Sequence, residues 1–475
     1  MELQFPSLLT LLASILLLSI ILQLVKRSKT LESSIQQLPP GPWRLPLVGN
    51  LHQLVGSLPH RILRDLANQH GPLMHLQLGE TSNVVVSSPE IAKEILITHG
   101  TIFAQRPLLV AVDTMTYGSR DIVMAPYGHY WRQVRKICTI ELLTAKRVKS
   151  FESIRQDEFS NLVKFISSNE GSPINLSDKI FGSTYGIASR AAFGSKYNVN
   201  DSYSSVVEEI VKLASGFSIA DLYPSSKVLR LMSGMSKKVE TLFKKSDAVL
   251  QGIIDEHRER LGRSNAGDEG EEANEDLITV LLKIQQLGDL ELPLSDNDIK
   301  GIIWDVFSGG SETSSTIVDW AMSEMMRNPR VLKKAQTEVR NVYNGKGDVD
   351  EASVQELNYL ELTRVIINAW AMATDPKYWT EPKAFYPERF LNCSSDFKGT
   401  NMEFIPFGAG RRMCPGILFA LPNIELPLAK LLYHFDWKLP NGMEHESLDM
   451  TEAFGVTVRR KNDLILIPTI HKSFM

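Results

Sequence analysis

One ten-residue string near the carboxyl end constrains this chain more than any other feature. It reads Phe407-Gly408-Ala409-Gly410-Arg411-Arg412-Met413-Cys414-Pro415-Gly416, in which glycines and an arginine stand at fixed offsets around a thiol. Glycine permits the positive φ angles of a backbone that curls around a sulfur atom and points N–H groups at it. A cysteine held in this way is typical of a thiolate that ligates heme iron. The string therefore predicts a heme-binding loop centred on Cys414.

Other residues of the loop fit this prediction. Arg412 suits a heme propionate, because a guanidinium matches a carboxylate in bidentate fashion. Residues 417–432 have a helical pattern, so the N-terminal dipole of that helix would face the negative sulfur. The alternative is that Cys414 is an inert buried thiol, as free cysteines often are. The remaining cofactor-binding candidates, with the phenylalanine expected beside the porphyrin, are Phe407, Gly408, Gly410 and Gly416.

The spacing Phe-x-x-Gly-x-Arg-x-Cys-x-Gly resembles the signature of the cytochrome P-450 monooxygenases. The resemblance extends over nearly the whole chain and favours the plant microsomal members, in particular hydroxylases of sesquiterpenes and other small apolar metabolites. It implies the fold of that family, mainly α with small β-sheets, with heme b (iron protoporphyrin IX) as cofactor and Cys414 as the metal ligand. The implied reaction is RH + O2 + NADPH + H+ giving ROH + H2O + NADP+.

A long helix is predicted upstream of this loop. Ser295 is a candidate N-cap with Asp298 three residues later, and the helix should run to about Asn328, before Pro329. Gly309-Gly310 lies inside it, and each glycine costs about 1 kcal/mol relative to alanine. Close approach of a flat cofactor, with a local opening of the helix that admits water, would explain the pair.

Glu312 and Thr313 follow the two glycines and supply a carboxyl group and a hydroxyl for proton transfer. The segment resembles the acid-threonine motif of the family. By that resemblance Thr313 positions dioxygen and Glu312 feeds the proton relay, so both are candidate catalytic residues. The alternative is a flexible helix with a surface glutamate and a capping threonine.

Trp131-Arg132-Gln133-Val134-Arg135 resembles another helical segment of the family. Trp131 and Arg135 stand at i and i+4 on one helix face, and both could reach a propionate. The alternative is a helix fixed by a buried tryptophan, with solvated arginines. Positive charges nearby suggest a docking face for an acidic electron donor, or merely a solvated basic face; they are Lys136, Lys146, Arg147 and Lys149.

The amino-terminal residues 1–25 are predicted to be a membrane anchor. Leu8 to Val25 is almost entirely apolar, and as a helix it would span about 27 Å. The basic residues that follow, Lys26, Arg27 and Lys29, should keep the next segment cytosolic. A cleaved secretory signal is the alternative. We expect a basic, proline-rich hinge at 26–50 and a catalytic domain at 51–475, on the cytosolic side of the endoplasmic reticulum membrane with a single pass.

The composition and the absence of certain motifs limit the classes of partner that this chain is expected to have. The net charge of −4 gives no reason to expect nucleic-acid binding. Three cysteines argue against a disulfide framework. No flavin or dinucleotide fingerprint is visible, so electrons are expected from NADPH through a separate NADPH-cytochrome P-450 reductase. The other expected partners are a small apolar substrate and the membrane.

Tyr386-Pro387-Glu388-Arg389-Phe390 resembles a segment whose arginine joins a Glu-x-x-Arg helix pair and so locks the cysteine loop. By the resemblance roughly thirty residues that contain this pair are missing near 361–364, enough for most of a helix and a hairpin. A formal Glu361-Leu362-Thr363-Arg364 is interpreted as coincidence. Arg389 would then be exposed, or left as an uncompensated buried charge that costs about 3–5 kcal/mol.

Two other functions stay open. The first is a heme-thiolate enzyme that rearranges peroxides without a reductase, against which the Glu312-Thr313 pair speaks. The second is a catalytically impaired or inactive deletion product that does not hold heme. For the carboxyl-terminal tail, the pattern predicts strands at 454–458 and 464–467.

Overall fold

The computed structural model describes residues 38–194, 201–214, 218–264, 275–343, 370–391 and 396–471. Helices dominate this part of the chain, with two small sheets, so the predicted mainly α fold with small β-sheets is confirmed. The helices are α1 (Pro59–His70), α2 (Pro89–Lys93), α3 (Val110–Met115), α4 (His129–Ile137), α5 (Ala145–Ser150), α6 (Glu152–Ser168), α7 (Leu176–Phe193), α8 (Asp201–Leu213), α9 (Ile219–Leu222), α10 (Lys227–Met232), α11 (Met235–Ser264), α12 (Leu277–Leu287), α13 (Asp296–Arg327), α14 (Pro329–Tyr343), α15 (Trp370–Ala373) and α16 (Ile417–His434). The strands are β1 (Leu73–Leu78), β2 (Thr81–Val86), β3 (Ile174–Asn175), β4 (Phe435–Lys438) and β5 (Ile465–Ile470).

The centre of the molecule is α13, which packs against α7 on one side and α16 on another. It begins with the predicted capping box, because Ser295 Oγ accepts the Asp298 N–H and the Asp298 carboxyl accepts the Ser295 N–H. It ends at Arg327, just before Pro329. The prediction of one helix between Ser295 and Asn328 is confirmed, and the helix is continuous through Gly309-Gly310, without the expected local opening.

Both sheets are antiparallel. β1 and β2 form a hairpin in which Leu73 pairs with Val86 and Leu78 with Thr81. The second sheet has the order β3-β5-β4, and β5 overlaps the strand predicted at 464–467. The strand predicted at 454–458 is wrong. This segment is the loop between Glu452 and Arg460, which form an isolated antiparallel bridge, and Trp320 Nε1 of α13 donates to its Val458 carbonyl at 2.9 Å.

The predicted membrane anchor, 1–25, lies outside the described residues. Among the residues that are described, no helix is both long and apolar enough to cross a bilayer. The described part of the predicted hinge, 38–50, contains no helix; it is extended and then turns back, with the Leu45 and Gly49 main chains bonded to each other. The segment 344–369, with the predicted gap and the Glu361–Arg364 match, is likewise outside the described residues.

Candidate active site

A cavity of about 360 Å³ lies between α13, α4 and the Cys414 loop. Its wall is mostly apolar. Seven of the residues singled out from the sequence line it: Trp131, Arg135, Thr313, Phe407, Arg412, Cys414 and Gly416. The other three, Gly408, Gly410 and Glu312, are not part of the wall formed by the described residues. The fold therefore brings together, from three separate parts of the chain, most of the predicted site.

The Cys414 loop has the conformation that its glycines predict. Gly408 and Gly410 adopt φ angles of 70° and 68°. Gly410 is also needed for space, because a Cβ there would lie 2.2 Å from the Leu96 carbonyl oxygen. Gly416 has an ordinary negative φ, and its N–H points at Cys414 Sγ at 3.4 Å. The loop thus presents the sulfur to the cavity with a main-chain donor behind it.

The surroundings of Cys414 act on its thiol in opposite directions. Burial raises the pKa of the thiol, while the Gly416 N–H and the positive charge of Arg135 act to lower it. A metal cation bound to the sulfur would add a much larger positive charge and so stabilise the thiolate. The arrangement suits a ligand to a metal better than a free nucleophile.

The opposite wall is the glycine-containing turn of α13. Gly309 borders the cavity, and a Cβ on it would meet nothing within 4 Å, whereas a Cβ on Gly310 would lie 3.0 Å from the Phe419 ring. Thr313 Oγ1 donates to the Gly309 carbonyl at 2.6 Å. One turn of this helix therefore borders the cavity with two glycines and the side chain of Thr313.

Glu312 points elsewhere. Its side chain is buried, and Arg459 from the carboxyl-terminal loop donates to Oε1 through Nε at 3.0 Å and Nη2 at 2.9 Å. Burial raises the pKa of the Glu312 carboxyl and Arg459 opposes that shift. The partnership was not anticipated from the sequence, because the two residues are 147 positions apart and no local pattern links them.

Trp131 and Arg412 support each other at the side of the cavity. The Arg412 guanidinium lies 4.4 Å from the centre of the Trp131 ring. It donates to the carbonyls of Ala104 at 2.9 Å, Ile122 at 3.2 Å and Ala125 at 2.6 Å. The indole N–H of Trp131 also donates to Ile122 O, at 2.9 Å. Burial lowers the pKa of Arg412 to about 10, with Arg106 among the further causes.

Two other guanidinium groups fit the heme. Arg106 and Arg135 line the cavity, and no carboxylate of the described residues forms an ion pair with either. Burial lowers the pKa of each, so an anion at this place would stabilise both charges. A thiol with a donor behind it, a glycine-containing helical wall and two cations that form no ion pair within the described residues match an iron porphyrin with propionates. Arg106 was missed in the sequence, where it stands in a loop without a motif.

Arg389 is in neither of the two expected states. It is neither unpaired nor fully exposed: its guanidinium donates to four main-chain carbonyls of the segment before it, at 2.8–3.1 Å. The adjacent Glu388 pairs instead with Arg330 and Lys334 of α14. The expectation of an uncompensated buried charge at Arg389 is therefore wrong, since the carbonyls replace a carboxylate partner.

Comparison with known proteins identifies the family. A family model described as Cytochrome P450 matches residues 39–363 and 362–467, two segments that meet where the gap is expected. Cytochrome P450 71D10 of Glycine max is 52% identical, covering 94% of each chain. Its alignment of 485 positions is longer than this chain of 475 residues, so some positions hold no residue of this chain.

Other relatives agree. Premnaspirodiene oxygenase of Hyoscyamus muticus is 46% identical over 96% of this chain and 98% of that protein, and tabersonine 6,7-epoxidase isoform 1 of Catharanthus roseus is 49% identical over 95% and 96%. A solved structure of a zebra fish cytochrome P450 with progesterone has a TM-score of 0.70 at 22% identity, covering 87% of this chain and all of that one, and supports the fold. The chain thus belongs to the cytochrome P450 family of heme-thiolate monooxygenases.

Proposed function

We propose that this chain is an NADPH- and O2-dependent monooxygenase that hydroxylates a small apolar secondary metabolite, such as a sesquiterpene, at a heme ligated by Cys414. One observation carries the proposal: Cys414 and Thr313 face the same largely apolar cavity from opposite walls. The similarity to premnaspirodiene oxygenase, whose name denotes oxygenation of a sesquiterpene, supports the substrate class.

Bound heme would supply dioxygen activation and oxygen insertion. Cys414 would hold the iron, and Arg106 and Arg135 would bind the propionates. Arg412 uses three of its five N–H donors on carbonyls, so two remain for a propionate. Trp131 would keep the Arg412 guanidinium in place by stacking on it.

The proton-handling residues are Thr313 and Glu312. The Thr313 hydroxyl donates its one hydrogen bond to the Gly309 carbonyl, so its oxygen can accept a hydrogen bond from a group in the cavity. Glu312 is held by Arg459, away from the cavity. A relay from Glu312 to Thr313 therefore needs bridging water or rotation of Glu312 away from Arg459.

Electrons would come from a separate reductase that oxidises NADPH. Lys136, Lys146 and Lys149 are exposed around the end of α4 and along α5, near the Cys138 turn that borders the cavity. An acidic partner docked there would sit close to the cofactor end of the cavity.

We also place the chain at the endoplasmic reticulum membrane, with its catalytic domain in the cytosol. The apolar segment 8–25, followed by basic residues, supports this. The described part adds exposed apolar residues in two neighbouring segments, Trp43 at 67% and Leu231 at 82% exposure. Tyr223 links the two segments, because its hydroxyl donates to the Leu47 carbonyl at 3.3 Å. Both would meet the same lipid surface.

The reduced carbon monoxide difference spectrum of the membrane-expressed chain tests the proposal. We expect a thiolate-type band that Cys414→Ala abolishes, and NADPH-dependent product only when reductase is added. Product formed from a hydroperoxide without NADPH would instead indicate the peroxide-rearranging alternative. Absence of any Cys414-dependent heme absorbance would overturn the enzymatic proposal.

The second candidate function is a deletion product with impaired heme binding. The family match that divides at 362–363 supports it, as does Arg389, which bonds to its own main chain rather than to a helix pair. This candidate predicts a weak reduced carbon monoxide band that decays during the measurement, whereas a full and stable band would exclude it.

A further inference from the structure

Residues 121–125 connect three parts of the cavity wall. Ile122 lines the cavity, and its carbonyl accepts two hydrogen bonds, from Trp131 Nε1 at 2.9 Å and from Arg412 Nη1 at 3.2 Å. The Ala125 carbonyl accepts a further hydrogen bond from Arg412 Nη2 at 2.6 Å. The position of this short segment therefore sets the position of Trp131 and Arg412.

Two carboxyl groups hold the segment in place. Asp305 of α13 accepts the N–H groups of Ile122 and Val123 on a single oxygen, Oδ2, at 2.9 and 3.0 Å. Asp121, which is fully buried, accepts the next two N–H groups on Oδ1, from Met124 at 3.0 Å and from residue 125 at 2.8 Å. Four consecutive main-chain N–H groups thus donate hydrogen bonds to two carboxyl side chains, which come from different elements.

The two carboxyl groups meet at the main chain of residues 122–125, and each acts on the pKa of the other. Two ionised carboxylates have only acceptor atoms, so a hydrogen bond between them requires a proton on one. Burial is the largest cause of a raised pKa at both, to about 6 for Asp121 and well above the ordinary value for Asp305. As in other carboxyl pairs, the proton belongs to the pair rather than to one residue.

We propose that Asp121 and Asp305 are positioning residues that share a proton and thereby hold residues 121–125, and through them Trp131 and Arg412, at the cofactor end of the cavity. The inference rests on the proposed function only for the identity of the bound group. The carboxyl pair is a feature of the polypeptide, so its test needs neither turnover nor heme.

Charged and titratable groups face the pair from each side. Arg412 from the cysteine loop and Arg106 from the loop before α3 favour ionised Asp121. Cys138, beyond α4, has its own pKa raised to about 12 by burial first and by Asp305 next, so it stays neutral. The Tyr130 hydroxyl, whose pKa is also raised, stays neutral as well. Arg412, Cys138 and Tyr130 therefore do not titrate near neutral pH.

The sign of the pH dependence follows from proton counting. The closed segment keeps the shared proton, while in an opened segment the solvated carboxyls would have ordinary pKa values near 4 and would be ionised. Opening then releases a proton, so it becomes easier as pH rises, by up to about tenfold per pH unit until the pair loses its proton. Closure is strongest in acid and weakens with rising pH.

Hydrogen exchange of the full-length chain, followed by mass spectrometry, tests this in the peptide that contains residues 122–125. After correction for the intrinsic exchange rate, we expect protection to fall as pH rises from about 6 to about 8, by up to about tenfold per unit. In Asp305→Asn the amide oxygen still accepts the two N–H groups and the amide N–H donates to Asp121 without any shared proton. Protection should then persist and lose its pH dependence.

Two more variants separate positioning from general stability. Asp305→Ala should remove protection from this peptide at every pH. Asp319→Asn is the matched control, because Asp319 is another carboxyl of α13 whose pKa burial raises, yet it bonds to Ser177, away from this segment. It should leave the pH dependence intact. Two results would overturn the proposal even if the heme enzyme is active. One is protection of this peptide that does not change with pH in the unmodified chain, and the other is an unchanged pH dependence of protection in Asp305→Asn.

Discussion

Arg459 and Glu312 form an ion pair at 2.9 Å that ties the carboxyl-terminal loop to the helix carrying Thr313. The Glu312 side chain is 7% exposed and that of Arg459 is 31% exposed, so the carboxylate is shielded from solvent while the arginine is partly solvated. The acid of the acid-threonine pair is therefore held by a residue at the far end of the chain.

Removing the arginine should destabilise the fold in a pH-dependent way. In Arg459→Met a buried carboxyl group loses its counter-charge, which costs about 3 kcal/mol, the lower end for a broken buried pair because Arg459 is partly solvated. The pKa of Glu312, already raised by burial, rises further. The unfolded state is the same with and without Arg459, so the loss is smallest in acid, where Glu312 is protonated in both folded chains. The loss grows as pH rises through the range in which Glu312 ionises in the unmodified folded chain but stays protonated in the folded variant.

Urea denaturation at about pH 5 and about pH 8 measures this difference, because burial raises the pKa of Glu312 in the folded chain above the ordinary glutamate value of about 4.3. The matched control is the double variant Glu312→Gln, Arg459→Met, which has no carboxyl to titrate at this position and should lose the pH dependence. Equal destabilisation of the single variant at both pH values would show that packing of Arg459 against Phe181, rather than charge, is what matters.

Gly410 and Gly408 offer a matched pair of substitutions in the cysteine loop. Both have positive φ, so alanine costs about 1–2 kcal/mol at either one through strain. Only Gly410→Ala also places a Cβ 2.2 Å from Leu96 O, while at Gly408 a Cβ meets nothing within 4 Å. We expect Gly408→Ala to retain heme with a modest loss of stability and Gly410→Ala to lose most of its heme.

Soret absorbance per chain and thermal unfolding would measure both variants. The main-chain oxygen of Leu96 cannot move aside as a flexible side chain would, so the loop itself must shift. If the two variants retained heme equally, the contact with Leu96 would not hold the loop in its functional position.

The long helix and the conformation of the cysteine loop could be predicted from the sequence. Their signals are a capping box, the φ preferences of glycine and a proline after the helix, and each of these acts over only a few residues. Such local signals do not predict features that depend on contacts between residues distant in the sequence. The predicted strand at 454–458 is the loop between the bridged residues Glu452 and Arg460, and Trp320 from a distant helix donates to one of its carbonyls. Arg459, Arg106 and Asp305 were not foreseen as part of the site, since each obtains its role from contacts across the fold. Arg389 was expected to be exposed or uncompensated because its Glu-x-x-Arg partners are missing, and the sequence does not reveal that a turn presents four carbonyls to it.

Gly309 and Gly310 should differ sharply in their response to alanine. Either substitution improves helix propensity by about 1 kcal/mol. Gly309→Ala meets no neighbour, so we expect it to stabilise the fold while its methyl group narrows the cavity. Gly310→Ala brings a Cβ within 3.0 Å of Phe419, which is buried, and should lose that gain to overpacking of about 1–3 kcal/mol.

Thermal unfolding, together with a titration that measures how tightly the cavity binds an apolar ligand, distinguishes the two variants. Gly309→Ala should show a higher midpoint of unfolding and weaker binding, and Gly310→Ala a lower midpoint. A stabilised Gly310→Ala would mean that the Phe419 ring moves aside at little cost, and the glycine would then need another explanation.

Arg389 provides the final prediction. Its four bonds to carbonyls use the planar fork of the guanidinium, which a lysine ammonium cannot reproduce. We therefore expect Arg389→Lys to behave almost like Arg389→Ala, with a loss of about 2 kcal/mol on the scale of hydrogen bonds that involve a charged group. In both variants the 380–390 segment should loosen, and with it the support of Phe404, which contacts Phe390 and lines the cavity.

Chemical denaturation and the decay rate of the reduced carbon monoxide band would measure the two effects separately. Lys383→Ala, an exposed cation of the same segment, is the control and should change neither. If Arg389→Ala lowered stability but left the band unchanged, the turn would be a local structure independent of heme. A faster decay in proportion to the lost stability would mean that Arg389 secures the cofactor through Phe390 and Phe404, although its carbonyl bonds are confined to its own turn.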